Sequence, residues 1–388
     1  MPMPPVIADD PQTRFLLLCL QSRFNPTALD RAQVVASQDN FDWDALSKLV
    51  DDELLSPLLY TITSDKDMLP PHLERQIREI YLQNAVRNAI LAKNLAKIIE
   101  GSAAYSIDLI VLKGAALAEI VYRNIAVRPM VDMDILVRGA DVQKALDLLS
   151  SLNYIAVDPE THPGTLLEFE SELLMHKVEQ FDIALELHWS LLDSPHYQQK
   201  IDMRWFWQTA APAQFNGKPG LVLGAEALLL HLCSHIMLHH RGKGLLWLHD
   251  VAEVLARFGE SLEWETLLNK AQDYDLVLSL QRIIPMVNRE WQIGLAQSVL
   301  DGLNALQPSD RERQVFNWLT SAERPVAQRF WVDLATSSSW QRRFTYARQN
   351  LFPSSSYMRK RYEIRSSLLL PFYYPYRWLL GIQSLFRN

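Results

Sequence analysis

At 388 residues the chain is long enough for two or three domains, and its composition, 48% apolar and 21% charged, is that of an ordinary folded protein. The first segment, MPMPPVIADDPQTRF, has no signal-peptide pattern and no stretch is apolar for long enough to span a bilayer, which predicts a cytoplasmic protein without stable membrane insertion. The only two cysteines are far apart, which excludes a disulfide framework. The net charge of −7 is unevenly distributed, because residues 324–388 carry +9 and the remainder about −16.

Three regions follow one another along the chain. Residues 1–104 are predicted to be helical, because apolar residues repeat at three- and four-residue steps. Residues 105–220 alternate short apolar runs with helical ones, which is typical of a small mixed α/β domain. After the loop FNGKPG, residues 221–388 are mostly helical and end in a basic aromatic tail. The predicted class is α+β, a small mixed sheet flanked by helical regions.

The stretch IDLIVLKG reads as a strand that ends at Gly114, where the helix AALAEIVY begins. Backbone N–H groups at such a junction are free to face an anion such as a phosphate. Alone, this signal is weak, because a single glycine before a helix usually reflects only a tight turn.

The next strand, VDMDILV, places Asp132 and Asp134 side by side on one face and apolar residues on the other. Two neighbouring carboxylates repel each other unless a positive group, usually a metal ion, lies between them. Such a pair also occurs by chance on exposed strands, where it is simply solvated, so its interpretation depends on the residues around it.

A third acid comes from the strand FDIALELHW, where Glu186 and His188 share a polar face with Asp182. If this strand lies beside VDMDILV, Glu186 joins the aspartates in an oxygen-rich site suited to Mg²⁺ or Mn²⁺. Two such ions can activate an attacking hydroxyl and stabilise a leaving pyrophosphate. Asp182 lies farther along the strand and is interpreted as solvated.

Together these residues carry a family resemblance. LKGAAL, followed by Tyr, Arg and DMDILV, closely resembles the pattern of the uncharacterised bacterial nucleotidyltransferase family within the DNA polymerase beta-like superfamily. LELHWSLL, HLCSHIMLHH, GLLWLHDVAEVL and the tail segment LFPSSSYMRKRY also look like what that family carries in the same order. The resemblance spans most of the chain, although only the stretch 113–137 is specific by itself. It implies a nucleotidyltransferase core between the two helical regions.

The resemblance implies a role for each matching residue. Gly114 and Ala115 stand where the superfamily has a glycine–serine pair near the nucleotide phosphates, Asp132 and Asp134 match its paired metal ligands, and Glu186 matches its third acid. Ala115 replaces the common serine hydroxyl, so backbone N–H donation would have to suffice there.

Lys113 and Arg128 are the cations nearest the motif. They would bind the triphosphate, Arg128 through its planar fork and Lys113 as a point charge, or act only as counter-ions of the acids. His188 is a candidate for contact with the acceptor or for proton transfer, and equally for a structural partner of Glu186.

Four further histidines lie close together in HLCSHIMLHH. His231, His235 and His239 recur at four-residue steps along one helix face, with His240 beside them. One interpretation is a zinc or iron site, but no carboxylate accompanies these histidines at metal spacing, so hydrogen bonding in a packed helical core is the favoured interpretation.

The basic tail contains four cations in one short stretch, residues 359–365, followed by LLLPFYYPYRWLLGIQSLFRN. It could contact nucleic acid, an anionic membrane surface or the acidic body of the same chain. Packing within the chain is the favoured interpretation, and Pro371 and Pro375 argue against one long amphipathic helix.

Two function classes follow. The first is an enzyme that moves a nucleoside monophosphate from an NTP to an unknown acceptor (small molecule, RNA or protein) with Mg²⁺ at Asp132, Asp134 and Glu186. The second is a non-catalytic nucleotide-binding or interaction protein on a degenerate scaffold. Intact carboxylates favour the enzyme. The sequence leaves the acceptor, the base of the NTP and the oligomeric state open.

Overall fold

The computed structural model describes residues 10–39, 41–157, 170–321 and 340–386. It also describes residues 167, 330, 331, 334, 335 and 337, which lie between these ranges. Within these residues, seven strands form one mixed sheet in the order β3-β4-β5-β2-β1-β7-β6. The strands are β1 (Leu109–Val111), β2 (Asp132–Val137), β3 (Ile155–Ala156), β4 (Glu172–Val178), β5 (Asp182–His188), β6 (Ala211–Phe215) and β7 (Lys218–Val222). Strand β2 is parallel to β5 and β1 is parallel to β7, whereas the other neighbours are antiparallel.

Helices precede the sheet and fill its connections. The N-terminal helices are α1 (Pro11–Gln21), α2 (Ala28–Ala36), α3 (Trp43–Asp52), α4 (Ser56–Thr63) and the long α5 (Pro71–Ala104). Between the strands lie α6 (Lys113–Leu117), which continues as a π-helical turn (Ala118–Tyr122), then α7 (Val142–Ser151), α8 (Pro195–Lys200) and α9 (Met203–Gln208).

The C-terminal part of the chain is helical, as the sequence predicts. Its helices are α10 (Ala225–Leu238), α11 (Leu245–Phe258), α12 (Trp264–Asp273), α13 (Val277–Trp291), α14 (Gln297–Ala305), α15 (Asp310–Thr320), α16 (Trp340–Leu351), α17 (Ser355–Tyr362) and α18 (Leu370–Phe386). The predicted α+β class, a mixed sheet flanked by helices, is confirmed.

Two apolar cores lie on opposite faces of the sheet. One contains Met133 and Ile135 of β2 and Leu185 of β5, packed against α5 and α7. The other contains Ile110 and Leu136 and joins the N-terminal helices to α10–α15. Because side chains alternate along a strand, the face of β2 that carries Asp132 and Asp134 is turned towards the second core and the C-terminal helices.

The segment FNGKPG, predicted as a loop, belongs mostly to a β-hairpin. Only Asn216 and Gly217 lie outside β6 and β7, and both have positive φ, 48° and 77°. Asn-Gly with both residues left-handed is the sequence of a two-residue hairpin turn whose twist matches that of the strands. The short polar turn was visible in the sequence, but the flanking strands, which contain Pro212 and Pro219, were not.

The prediction that Pro371 and Pro375 prevent one helix is wrong, because α18 spans residues 370–386. Pro371 lies in the first turn, where backbone N–H groups have no intrahelical partner, so its missing N–H costs little there. Pro375 lies within the helix, which continues past it. None of the helices described is both long enough and apolar enough to cross a bilayer.

Candidate active site

The register between β2 and β5 brings the predicted acids together. Because the two strands are parallel and Asp134 pairs directly with Glu186, both side chains leave the sheet on the same face. Asp132 lies two residues earlier on that face, opposite Ala184, and His188 lies opposite Leu136. Asp134 is buried, whereas Asp132 and Glu186 are half-buried.

The loop that leads into β2 is held by polar side chains of α5. Asn88 is fully buried and its amide donates to the carbonyl oxygens of Ile125 and Arg128 at 2.6 and 2.8 Å. Asn84 donates to the carbonyl of Ala126 at 2.7 Å. Buried N–H donors would be costly unless paired, so these contacts fix where β2 begins and hence where its aspartates lie.

Lys113 lies directly between the two facing carboxylates. Its Nζ is 2.7 Å from Asp134 Oδ1 and 3.2 Å from Glu186 Oε2. The turn from β1 into α6 places it there: the Leu112 N–H donates to the Asp134 carbonyl oxygen, and Lys113 has a left-handed φ of 44°. A non-glycine residue in this region costs conformational energy, and such strain is often found at functional sites.

His188 completes the cluster from the end of β5. Its Nε2 is 3.0 Å from Asp134 Oδ1 and 3.3 Å from Glu186 Oε2, and its Nδ1 is 3.0 Å from Glu172 Oε2. Glu172 lies opposite His188 in the antiparallel β4–β5 pair. Since both ring nitrogens face carboxylates, both carry hydrogens and donate. The structure therefore shows His188 as a partner of the acids, whereas its predicted contact with an acceptor stays a prediction.

The charges of the cluster shift the pKa of each member. Burial and Lys113 oppose protonation of His188, but hydrogen bonds to the surrounding carboxylates raise its pKa to about 10. Burial would raise the pKa of Asp134, yet Lys113 and His188 hold it well below its usual value. Burial, and then repulsion from Asp134 and Glu186, raises the pKa of Asp132 to about 6. The carboxylates thus differ: Asp134 is neutralised by the protein's own cations, and Asp132 is not.

The donor set suits a divalent cation. Among the described residues, Asp134, Glu186 and His188 form a group in which one potential ligand atom from each residue lies within 4.8 Å of the others. Two carboxylate oxygens suit Mg²⁺ or Mn²⁺, and an imidazole nitrogen suits Mn²⁺ or Zn²⁺ better than Mg²⁺. This group contains His188, whereas the predicted metal ligands were the pair Asp132 and Asp134 with Glu186 as the third acid. Lys113 Nζ contacts one oxygen of each of the two carboxylates, so a cation bound to those same oxygens would displace that side chain.

Arg128, predicted to bind the triphosphate, makes a buried ion pair with α11. Its Nη2 donates to Asp250 Oδ2 at 2.8 Å, and Tyr122 donates to the other Asp250 oxygen at 2.7 Å. Its Nη1 lies so close to Gly114 that a Cβ added there would be 2.4 Å away. Gly114 is thus needed for close approach of the guanidinium, which the sequence did not indicate. A contact of Arg128 with nucleotide stays a prediction, as does N–H donation at Gly114 and Ala115.

The histidines of α10 lie near the same cluster. His231 is buried, and neither of its ring nitrogens has a hydrogen-bond partner among the described residues. Burial, with the charges of Lys113 and His188, lowers its pKa to about 3. His235 Nε2 is 3.1 Å from His240 Nε2, so one of these rings donates to the other. His231 is buried in the helical core, as expected, but it does not make the hydrogen bonds that were expected there.

A model of a protein family described as uncharacterised nucleotidyltransferase matches residues 39–291, well over half of the chain. The chain belongs to this uncharacterised nucleotidyltransferase family. The matched range includes Lys113, both aspartates and Glu186, and it ends at the last residue of α13. Comparison with curated proteins gives no significant match. A solved structure that resembles the chain is that of an antigenic nucleotidyltransferase-like protein from Paracoccidioides brasiliensis, with 15% identity, a TM-score of 0.35 and coverage of 57% of this chain and 96% of that one.

Two acids of this family member were missed in the sequence. Glu172 was overlooked because ELLMHKV alternates poorly, and its position opposite His188 follows only from the antiparallel register of β4 and β5. Asp250 was overlooked because it lies in the apolar helix α11, far along the chain from Arg128. A buried acid in an apolar helix does signal a buried cation elsewhere, but the sequence does not identify that cation.

Proposed function

We propose that this chain is a divalent-metal-dependent nucleotidyltransferase of the DNA polymerase beta-like superfamily, which moves a nucleoside monophosphate from an NTP to an acceptor. The observation that carries the proposal is the direct pairing of Asp134 with Glu186 on parallel strands, with the Lys113 ammonium between them. The Lys113 ammonium lies between the carboxylates that are proposed to hold the metal ion. Asp132, two residues along on the same face, supplies a further carboxylate.

Each residue then has a defined task. Asp132, Asp134 and Glu186 would hold the cation, which would neutralise phosphate charge and polarise the phosphate under attack. Lys113, released from the carboxylates, would be free to contact the triphosphate as a point charge. His188, held by Glu172, would keep Glu186 and Asp134 in place. The protein is proposed to act in the cytoplasm, where NTPs are available.

One observation favours the alternative, a non-catalytic member of the family. Lys113 and His188 already compensate Asp134 and Glu186 by direct contact, so the fold does not need a metal at this position. A protein that had lost catalysis would keep such an internal ion cluster for stability. The two functions therefore differ in whether a divalent cation displaces Lys113.

The test is incubation with each α-labelled NTP and Mg²⁺ or Mn²⁺, followed by measurement of pyrophosphate release and self-labelling. The enzyme is expected to release pyrophosphate with at least one NTP, and Asp134→Asn is expected to abolish this. Asp182→Asn is the matched control, since Asp182 lies on the same face of β5 but is exposed and paired with His176. Nucleotide binding without pyrophosphate release would select the non-catalytic function, and full release by Asp134→Asn would rule out the assigned site.

A further inference from the structure

Helix α18 and the turn before it expose an apolar surface. The exposed fraction is 84% for Leu368, 72% for Phe372 and 59% for Leu379. At 100° per residue, the large apolar residues that are exposed among the described side chains fall within an arc of about 120°. This surface, here called the tail stripe, consists of Leu368, Leu369, Phe372, Tyr376, Leu379 and Leu380.

The opposite side of α18 is the side that packs. Trp378 Nε1 donates to the carbonyl oxygen of Leu351 at 2.7 Å, and the Tyr374 hydroxyl donates to that of Pro353 at 2.9 Å. Arg377 Nε donates to the carbonyl oxygen of Asn350 at 3.3 Å. These contacts fix the rotation of α18 against the end of α16. These contacts leave most of the tail stripe exposed, although the Tyr376 ring lies 6.1 Å from the ring of Tyr362 in α17. The expected packing within the chain does not account for this exposure.

A cluster of cations precedes the tail stripe in the chain. Three cationic residues of α17 and one just after it are exposed, and Lys360 Nζ also donates to the carbonyl oxygen of Val157, beside the edge strand β3. This hydrogen bond connects α17 to the residue that follows β3. This group, the tail cluster, consists of Arg359, Lys360, Arg361 and Arg365. Together with the +9 charge of residues 324–388, it sets this end of the molecule apart from the acidic remainder.

We propose that the tail stripe and the tail cluster bind the surface of an anionic phospholipid bilayer, with α18 lying in the interface. Leu and Phe side chains would enter the boundary of the acyl chains, while Arg and Lys contact the phosphates of the headgroups. Tyr376 belongs to a residue type that favours this depth. The tail lies outside the residues that match the family, and the proposal does not rest on nucleotidyl transfer.

The composition of the surface favours a bilayer over other partners. RNA would account for the cations but gives Leu368, Phe372 and Leu379 nothing to bury against, since it is bound through phosphates and stacked bases. A second copy would cover the stripe but would bring two +9 tails together. An anionic bilayer accounts for both the exposed aliphatic side chains and the charge.

The test is co-sedimentation of the full chain with vesicles of phosphatidylcholine, with and without phosphatidylglycerol, at physiological salt. Binding is expected only with the anionic lipid and should fall as salt rises. Phe372→Glu combined with Leu379→Glu should lower the bound fraction about tenfold or more, because two apolar anchors become charged. Val34→Glu, at an exposed apolar residue of α2, should bind as the wild type does.

Arg361→Glu combined with Arg365→Glu provides a second variant that leaves the apolar residues unchanged and should weaken binding to the same vesicles. Circular dichroism and thermal unfolding confirm that each variant is folded. Absence of binding to anionic vesicles would overturn the proposal, as would binding that neither double variant weakens. Salt-sensitive RNA binding without vesicle binding would assign the tail to nucleic acid, and self-association lost in Phe372→Glu/Leu379→Glu would assign it to a second copy.

Discussion

Lys113 does in this structure what a bound cation does in a metal site. Its ammonium contacts Asp134 and Glu186 and compensates carboxylates that would otherwise repel each other in a buried position. The same contacts raise the pKa of Lys113 despite its burial, so the side chain stays charged. A resident cation of this kind keeps the acids in place without metal, and it competes with metal for them.

Removal of Lys113 should make the fold depend on metal. In Lys113→Ala the facing carboxylates keep His188 but lose the ammonium between them, which should cost about 3 kcal/mol of unfolding free energy in the absence of divalent ions. Added Mn²⁺ or Mg²⁺ should then stabilise this variant more than the wild type, because no ammonium has to be displaced. Thermal unfolding with and without metal measures both effects. An identical metal response in the two proteins would show that Lys113 does not occupy the cation position.

Asp132 should behave in the opposite way. Its raised pKa, about 6, means that the metal-free fold gains from protonation of this carboxyl: the contribution is present below its usual value near 3.8 and is lost as pH rises through about 6. Asp132→Asn should therefore stabilise the metal-free protein at pH 8 by about 1 kcal/mol and have little effect at pH 4. It should also reduce stabilisation by metal.

Chemical unfolding in chelator at the two pH values checks this prediction. Asp182→Asn is the control, since Asp182 is exposed and should change the unfolding free energy little at either pH. A loss of stability in Asp132→Asn at pH 8 would contradict the like-charge interpretation of the site.

At the scale of elements, the junction between β1 and α6 connects the site to the C-terminal helices. Gly114 lets the Arg128 guanidinium lie against α6, and Asp250 of α11 holds that guanidinium from the other side. A change at the junction is thus transmitted to α11, although α11 is far along the chain. The short helix α6 is positioned by this contact as much as by its own sequence.

Gly114→Ala tests this arrangement. The added methyl group would lie 2.4 Å from Arg128 Nη1, and the buried ion pair with Asp250 leaves the guanidinium little room to retreat. We expect a loss of about 1–3 kcal/mol in unfolding free energy, measured by chemical denaturation. Gly139→Ala is the control, because an added Cβ there meets nothing within 4 Å. Equal stability of the two variants would show that the contact with Arg128 is not needed.

At the scale of the whole molecule, local periodicity predicted the order of helices and strands well. Alternation placed Asp132 and Asp134 on one face of β2 and Glu186 on one face of β5, because that information lies within each strand. The adjacency of β2 and β5, on which the whole site depends, does not follow from the sequence of either strand. The register of Asp134 with Glu186 supplies it.

Contacts between distant segments could not be predicted. Nothing in the sequence links Arg128 with Asp250 or His188 with Glu172, because such pairs form only when the sheet and the C-terminal helices pack. The orientation of the C-terminal helix α18 likewise could not be predicted from the sequence. Its composition suggested internal packing, whereas the outward face of α18 depends on how Tyr374 and Trp378 bind the end of α16.

The most direct test of the candidate site is isothermal titration of the wild type, Asp134→Asn, Glu186→Gln and Asp182→Asn with each NTP, with Mg²⁺ or Mn²⁺ and with chelator. The wild type and Asp182→Asn should bind at least one NTP only when the divalent ion is present. Asp134→Asn and Glu186→Gln, checked for folding by circular dichroism, should lose about tenfold or more in affinity, about 1.4 kcal/mol. NTP binding that persists in chelator, or that Asp134→Asn and Glu186→Gln leave unchanged, would contradict the assignment of these carboxylates to a metal–nucleotide site.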